Sequence, residues 1–93
     1  MENTITKEKL EKYLNVTEKA LEIAKKRIKK ERKQEAEEII NMVLAYFSDA
    51  LHFMKNNDFV NSFAAVNYAH GWLDAGARLG IFNVQDNQLF VIK

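Results

Sequence analysis

The sequence predicts an all-α fold, an antiparallel three-helix bundle with a short extended C-terminal tail, on the basis of three observations. The chain has 93 residues and is 47% hydrophobic, which suits one domain over residues 1–93 with a small core. Apolar residues recur at spacings of three and four in three successive segments, which is the period of an amphipathic helix. Proline is absent and the three glycines lie in the last third, so helix-breaking residues are few.

The first helix is predicted over about residues 4–30, with Asn3, Thr4 or Thr6 as the cap at its start. Continued further, its apolar stripe would reach Glu31 and Glu35. The charge also changes there from basic to acidic, and cations suit a helix C-terminus whereas anions suit an N-terminus. We therefore predict a turn near residues 30–34 instead of one continuous helix. The stripe consists of Leu10, Leu14, Thr17, Leu21, Ala24 and Ile28.

The second helix is predicted over about residues 34–56 and the third over residues 58–80. Between them, Asn57 can adopt the left-handed backbone that ends a helix, and Asp58 is a good N-cap for the next one. Gly80 is the residue type expected just past a helix end. The tail, residues 81–93, finishes in QLFVIK. This composition predicts an extended segment that packs on the bundle or pairs with another protomer.

The third helix is predicted to be apolar on nearly every side. A helix of this kind is normally buried all round, but three helices cannot surround one of their own members. Its second apolar face is therefore predicted to be covered by the tail or by another protein chain, with the small residues allowing close approach. This candidate interaction surface consists of Ala65, Tyr68, Ala69, Trp72, Gly76 and Leu79.

The segment from Asp58 to Phe82, DFVNSFAAVNYAHGWLDAGARLGIF, resembles the signature of the small archaeal family catalogued as domain of unknown function 357. The preceding SDALHFMKNND and the amphipathic first helix are similar to that family too, so the resemblance covers most of the chain. It implies a compact helical domain. It implies no activity, cofactor or site residue.

His70 and Asp74 form the polar pair best placed for chemistry. They are four residues apart on one side of a helix, and a histidine oriented by a carboxylate can act as a base or a metal ligand. His70 lies within an apolar stripe, however, where a buried histidine satisfied by the carboxylate is the commoner arrangement. The other histidine, His52, is predicted to face water, whereas a metal needs three or four ligands. We predict no catalytic, cofactor or metal residue; a small-ligand or enzymatic site including Asn67 is the alternative.

A basic run, KKRIKKERK, occupies Lys25 to Lys33, with seven basic residues and one acidic. Such a run can bind nucleic-acid phosphates, or it can be a solvated helix end whose charge suits the terminal carbonyl groups. Aromatic residues are not interleaved with it, which makes nucleic-acid binding the weaker prediction. The candidate phosphate contacts are Lys25, Lys26, Arg27, Lys29 and Lys30.

Several function classes are excluded or disfavoured by composition. The absence of cysteine excludes disulfides, thiolate metal sites and cysteine nucleophiles. Apolar runs of about 20 residues, the length that spans a bilayer, do not occur. The polar start of the chain is unlike a secretory signal, which predicts a cytoplasmic protein. The sequence therefore favours a non-enzymatic helical interaction or oligomerisation module. Its third helix would contact a second copy or a protein partner.

Overall fold

The computed structural model describes residues 5–85, 89 and 90. Three helices follow one another, α1 (Lys7–Lys25), α2 (Lys33–Lys55) and α3 (Phe59–Arg78), with a 3₁₀ turn over Lys30–Arg32. The contact between α2 and α3 is the most extensive, α1 packs mainly on α3, and α1 and α2 touch little. The predicted three-helix bundle is confirmed, with α3 as the helix that both others contact.

The starts of α1 and α3 are capped by side chains, as the sequence predicted. The Thr6 hydroxyl accepts a hydrogen bond from the backbone N–H of Lys9 at 3.1 Å and caps α1. The Asp58 carboxylate accepts one from the backbone N–H of Asn61 at 3.2 Å and caps α3. Each cap satisfies an amide that has no partner within its helix. The alternative caps of α1, Asn3 and Thr4, lie outside the described residues.

Helices α2 and α3 are each followed, two residues beyond their last residue, by a residue with left-handed backbone. Asn57 has φ 60° and Gly80 has φ 73°. After α3 the N–H of Ile81 donates to the carbonyl of Gly76 at 2.9 Å, which completes a Schellman motif and turns the chain back onto the bundle. The polar turn after α2 and the glycine stop after α3 are thus where the sequence placed them.

Helix α1 ends five residues earlier than predicted, and the break before α2 spans residues 26–32 instead of 30–34. Ile28, expected to continue the α1 stripe, forms an isolated antiparallel bridge with Phe82. The N–H of Asn83 also donates to the carbonyl of Arg27 at 2.7 Å. The prediction was wrong here because the segment after α3, far away in sequence, supplies backbone partners that helical periodicity cannot reveal.

The described part of the tail fills the cleft between the helices. Phe90 is 1% exposed and packs with Leu21 of α1, Val43 of α2 and Leu73 of α3. Ile81 and Phe82 are buried in the same cluster. The tail is therefore part of the core, as its composition predicted. Strand pairing by QLFVIK falls largely on residues outside those described, apart from Leu89 and Phe90.

Candidate functional site

The structure divides the six residues of the predicted interaction surface into two groups. Ala65, Ala69 and Gly76 are buried within the bundle, whereas Tyr68, Trp72 and Leu79 are exposed. The three small residues let other parts of the same chain approach α3 closely, so they cannot contact a partner in the folded protein. The predicted surface is corrected to its large residues, because the small ones lie on the inner side of the helix.

The outer face of α3 is an exposed apolar strip. Tyr68 is 64% exposed and Trp72, the chain's one tryptophan, is 36% exposed. A shallow cavity of about 440 Å³ lies between them and is lined also by Asn67, Gly71 and Ala75. We name this the outer face and define it by its exposed apolar residues: Val60, Ala64, Tyr68, Gly71, Trp72, Ala75 and Leu79.

Helix α2 extends the outer face on one side. The ring of Tyr46 stacks on that of Tyr68, with centroids 5.0 Å apart and planes inclined by 20°. Met42 and Trp72 line a neighbouring cavity of about 530 Å³ together with Ile39. The Tyr46 contact holds Tyr68 against the bundle while leaving most of its surface in solvent. The outer face therefore presents a supported aromatic group.

Two glycines of α3 have opposite surroundings. A Cβ added to Gly76 would lie 2.4 Å from Cε2 of Phe82 and 3.3 Å from Cδ1 of Ile39, so this position admits only glycine without a shift. A Cβ added to Gly71 would meet nothing within 4 Å. The internal packing of the chain therefore explains Gly76. It does not explain Gly71, which lies at the middle of the outer face and costs about 1 kcal/mol relative to alanine.

His70 joins three parts of the fold. Its Nε2 donates a hydrogen bond to the carbonyl of Leu89 at 2.6 Å, and Nδ1 lies 3.0 Å from the Thr17 hydroxyl. In the neutral ring that donates from Nε2, Nδ1 accepts from the hydroxyl. Asp74 lies 3.6 Å from Nε2. The predicted pair is thus adjacent, but the ring's hydrogen bonds go to Thr17 and Leu89, which the sequence did not predict.

A cavity of about 420 Å³ lies beside this histidine and is lined also by Asn67, Asp74 and Tyr13. Because Thr17 and Leu89 engage both ring nitrogens, neither is directed at a ligand in this cavity. The arrangement therefore supports a structural role, in which His70 fastens the tail and α1 to α3.

Replacing His70 by leucine is expected to lower the free energy of unfolding by about 1–2 kcal/mol, because the buried Thr17 hydroxyl and the Leu89 carbonyl lose a partner. Chemical denaturation measures this difference. The matched control is His52→Leu on α2, where the exposed imidazole contacts Asn56 at 3.2 Å and the expected change is within about 0.5 kcal/mol. Equal effects at the two positions would contradict the linking role of His70.

The basic run lies where the C-terminal ends of α1 and α3 meet. The Lys29 ammonium lies beside Gly80, at the end of α3, and Arg32 donates to the carbonyl of Leu79 at 3.4 Å. Lys25 pairs with Glu22 at 3.6 Å. These cations accompany helix ends, where positive charge is favourable. The predicted contacts Lys25, Lys26, Arg27, Lys29 and Lys30 are all exposed.

Arg32 also forms a paired hydrogen bond with Glu35, Nε to Oε1 at 2.5 Å and Nη2 to Oε2 at 3.2 Å. The hydrogen bond lowers the pKa of Glu35 below its usual value and raises that of Arg32. A carboxyl with a depressed folded pKa stabilises the protein above its unfolded pKa. This contribution is lost as the pH falls through the folded pKa. The side chains of Arg32 and Glu35 are 34% and 53% exposed, so the effect of the pair on stability is small.

Replacing Arg32 by glutamine is expected to raise the pKa of Glu35 towards its ordinary value, because the side-chain hydrogen bond that lowers it is lost. A carbon-detected NMR titration of the Glu35 carboxyl measures the shift. The variant Arg27→Gln, which removes a neighbouring cation of the same type, is the control and should leave that titration nearly unchanged. The same low pKa in the Arg32 variant as in the parent would show that the pair does not form in solution.

Among the residues that the structure describes, there is no group of three or more histidine, cysteine or acidic side chains that could hold a metal ion. Within the same residues, every helix is too short or too polar to cross a membrane.

A known protein family matches the part of the chain that contains these features. Residues 12–82 match the family described as Protein of unknown function (DUF357). The chain belongs to this family. No curated protein and no solved structure matches the chain.

The DUF357 match includes the outer face, His70 and the whole basic run, and stops at Phe82. Two features that matter to the site were missed by sequence reasoning. The Thr17 hydroxyl was counted only as part of the α1 stripe, and Leu89 contributes a backbone carbonyl, for which no side-chain pattern exists. Tyr46, which the sequence places on a second apolar flank of the second helix beside its core stripe, stacks on Tyr68.

Proposed function

We propose that this protein is a non-enzymatic helical interaction module whose contact surface is the outer face of α3. The observation that carries the proposal is the chemistry of the residues that α3 exposes. Of its nine exposed residues, Arg78 alone is charged. In α1, by contrast, nine of the eleven exposed residues are charged, as is usual for a helix that faces water.

The large residues of the outer face suit protein contact. Tyrosine and tryptophan dominate the binding energy of many interfaces, since each buries a large area at little entropic cost. Tyr68 is already held by its stack on Tyr46, so less freedom is lost when a partner covers it. The described part of the tail supports the same function, because Leu89 and Phe90 cover the inner side of α3 and leave Tyr68 in solvent.

Site-specific photo-crosslinking in living cells tests this function without assuming a partner. A photoreactive phenylalanine analogue at position 68 preserves the aromatic ring and should yield a discrete protein adduct. The control places the same analogue at Ser48, an exposed residue two positions, and thus about 200°, around α2 from Tyr46. Adducts of equal yield and pattern from both positions, or none from position 68, would contradict the proposal.

A second candidate function is nucleic-acid binding by the basic run. The observation in its favour is a cavity of about 520 Å³ lined by Lys26 and Arg27 together with Asn83, between the end of α1 and the segment after α3. Binding through phosphates would weaken steeply as salt rises. Titration of a fluorescent single-stranded RNA at low and high salt, with Lys26→Gln/Arg27→Gln against Lys7→Gln/Lys9→Gln, tests it. No binding at low salt, or equal loss in both variants, would rule it out.

A further inference from the structure

Six of the seven residues of the outer face, all but Trp72, are arranged symmetrically along the chain. Val60, Ala64 and Tyr68 follow one another at a spacing of four, and after a gap of three the spacing of four repeats through Gly71, Ala75 and Leu79. The pattern is therefore mirror-symmetric about the midpoint between residues 69 and 70. An isologous contact requires a surface that complements itself, and a symmetric pattern is what such a surface presents.

The central pair, Tyr68 and Gly71, is complementary in size as well as in position. When α3 lies antiparallel to a second α3 across a two-fold axis at that midpoint, Val60 meets Leu79 and Ala64 meets Ala75 of the second copy. Tyr68 then lies over Gly71 of the second copy. The space above Gly71 is open, since a Cβ added there would meet no atom of its own chain within 4 Å. This pairing gives the exposed glycine a role, because a Cβ on the facing helix would occupy the space that the tyrosine ring needs.

Charge favours the antiparallel arrangement over a parallel one. Arg78, the charged residue among those that α3 exposes, would lie next to Arg78 of a parallel partner. In the antiparallel pair the two guanidinium groups are about 25 Å apart along the helices, beyond the screening length of physiological salt. Each lies instead near the start of the facing helix, where the Asp58 carboxylate caps α3.

We propose that a second copy of this chain covers the outer face, through an antiparallel two-fold contact between the α3 helices in which Tyr68 packs over Gly71 of the other copy. This inference rests on the proposed function and names the partner. The native chain contains no cysteine, so introduced cysteines report the geometry without background.

The test mixes two single variants of the full chain, Ala64→Cys and Ala75→Cys, distinguished by an affinity tag, in a redox buffer at equilibrium. Both alanines are exposed, and facing alanines on helices 8–10 Å apart bring their Cβ atoms within disulfide reach. Two cysteines at the same position, 64 with 64 or 75 with 75, would instead be about 16 Å apart along the helices. The mixed disulfide is expected to exceed either same-residue disulfide by at least about tenfold. Ser48→Cys mixed with either variant sets the background.

A predominance of 64–64 and 75–75 disulfides would overturn the antiparallel contact, and a mixed yield no greater than the Ser48→Cys background would overturn the second copy as partner. Failure of the proposed function is a separate result. If no mixed disulfide forms but the position 68 probe yields an adduct with a different protein, the contact surface stands and the self-contact does not. If both experiments fail, both proposals fall.

Discussion

Replacing Phe90 by alanine is expected to lower the free energy of unfolding by about 3–5 kcal/mol, the range for removing a fully buried phenylalanine. The side chain is 1% exposed and belongs to a buried cluster with residues of all three helices, so its loss leaves a cavity in the shared core. A domain of this size has a total stability of about 5–15 kcal/mol, so the variant should be near its unfolding transition at physiological temperature. Denaturant unfolding followed by circular dichroism measures the change.

The control is Leu51→Ala on α2, where the leucine is about half exposed and the expected loss is below about 1 kcal/mol. If Phe90→Ala destabilised the protein no more than Leu51→Ala, the tail would not be part of the core. The inner side of α3 would then need another cover, and the division of α3 into an inner and an outer face would fail with it.

Replacing Gly76 by alanine is expected to destabilise the protein by about 2 kcal/mol, although alanine is the better helix former. The new Cβ would overlap the Phe82 ring, which is buried and has little freedom to move away. The bridge with Ile28 holds the backbone of Phe82, so relief requires a shift of the segment after α3. Thermal and denaturant unfolding both report this change.

Gly71→Ala is the matched control, made in the same helix with the same chemical change. Nothing lies within 4 Å of its new Cβ, so the single-chain fold, measured at concentrations too low for self-association, should be stabilised by up to about 1 kcal/mol. Opposite signs at the two glycines are the expected result. The same sign at both would show that the close contact between Gly76 and Phe82 is absent in solution.

The helices could be predicted because their apolar periodicity and their end signals both lie in the residues of each helix and its immediate neighbours. The α2 and α3 boundaries agree with prediction to within two residues, since Asn57, Asp58 and Gly80 act on their own neighbours. The end of α1 could not be predicted in the same way. Ile28 fits the helical stripe, and its departure depends on Phe82, which follows it by more than fifty residues.

The sequence predicted which helix carries the candidate surface, but not which residues of that helix belong to it. Periodicity showed that α3 has more apolar surface than one core side needs, and Tyr68, Trp72 and Leu79 are exposed as a contact surface requires. Which apolar residues face inward depends on where the tail lies, and small residues such as Ala69 suit a helix contact and a partner contact equally well. The sequence therefore could not separate the inner face of α3 from the outer one.

Sedimentation equilibrium of the purified chain, compared with Tyr68→Lys, tests self-association through the outer face most directly. Tyr68 is 64% exposed, so the lysine should leave the single-chain fold intact while placing a charge on the proposed contact. We predict that the mass of the parent rises with concentration to twice the 10.8 kDa of a single chain. The mass of the variant should remain that of a single chain. A parent that keeps the single-chain mass at every concentration, or a variant that assembles equally well, would contradict this.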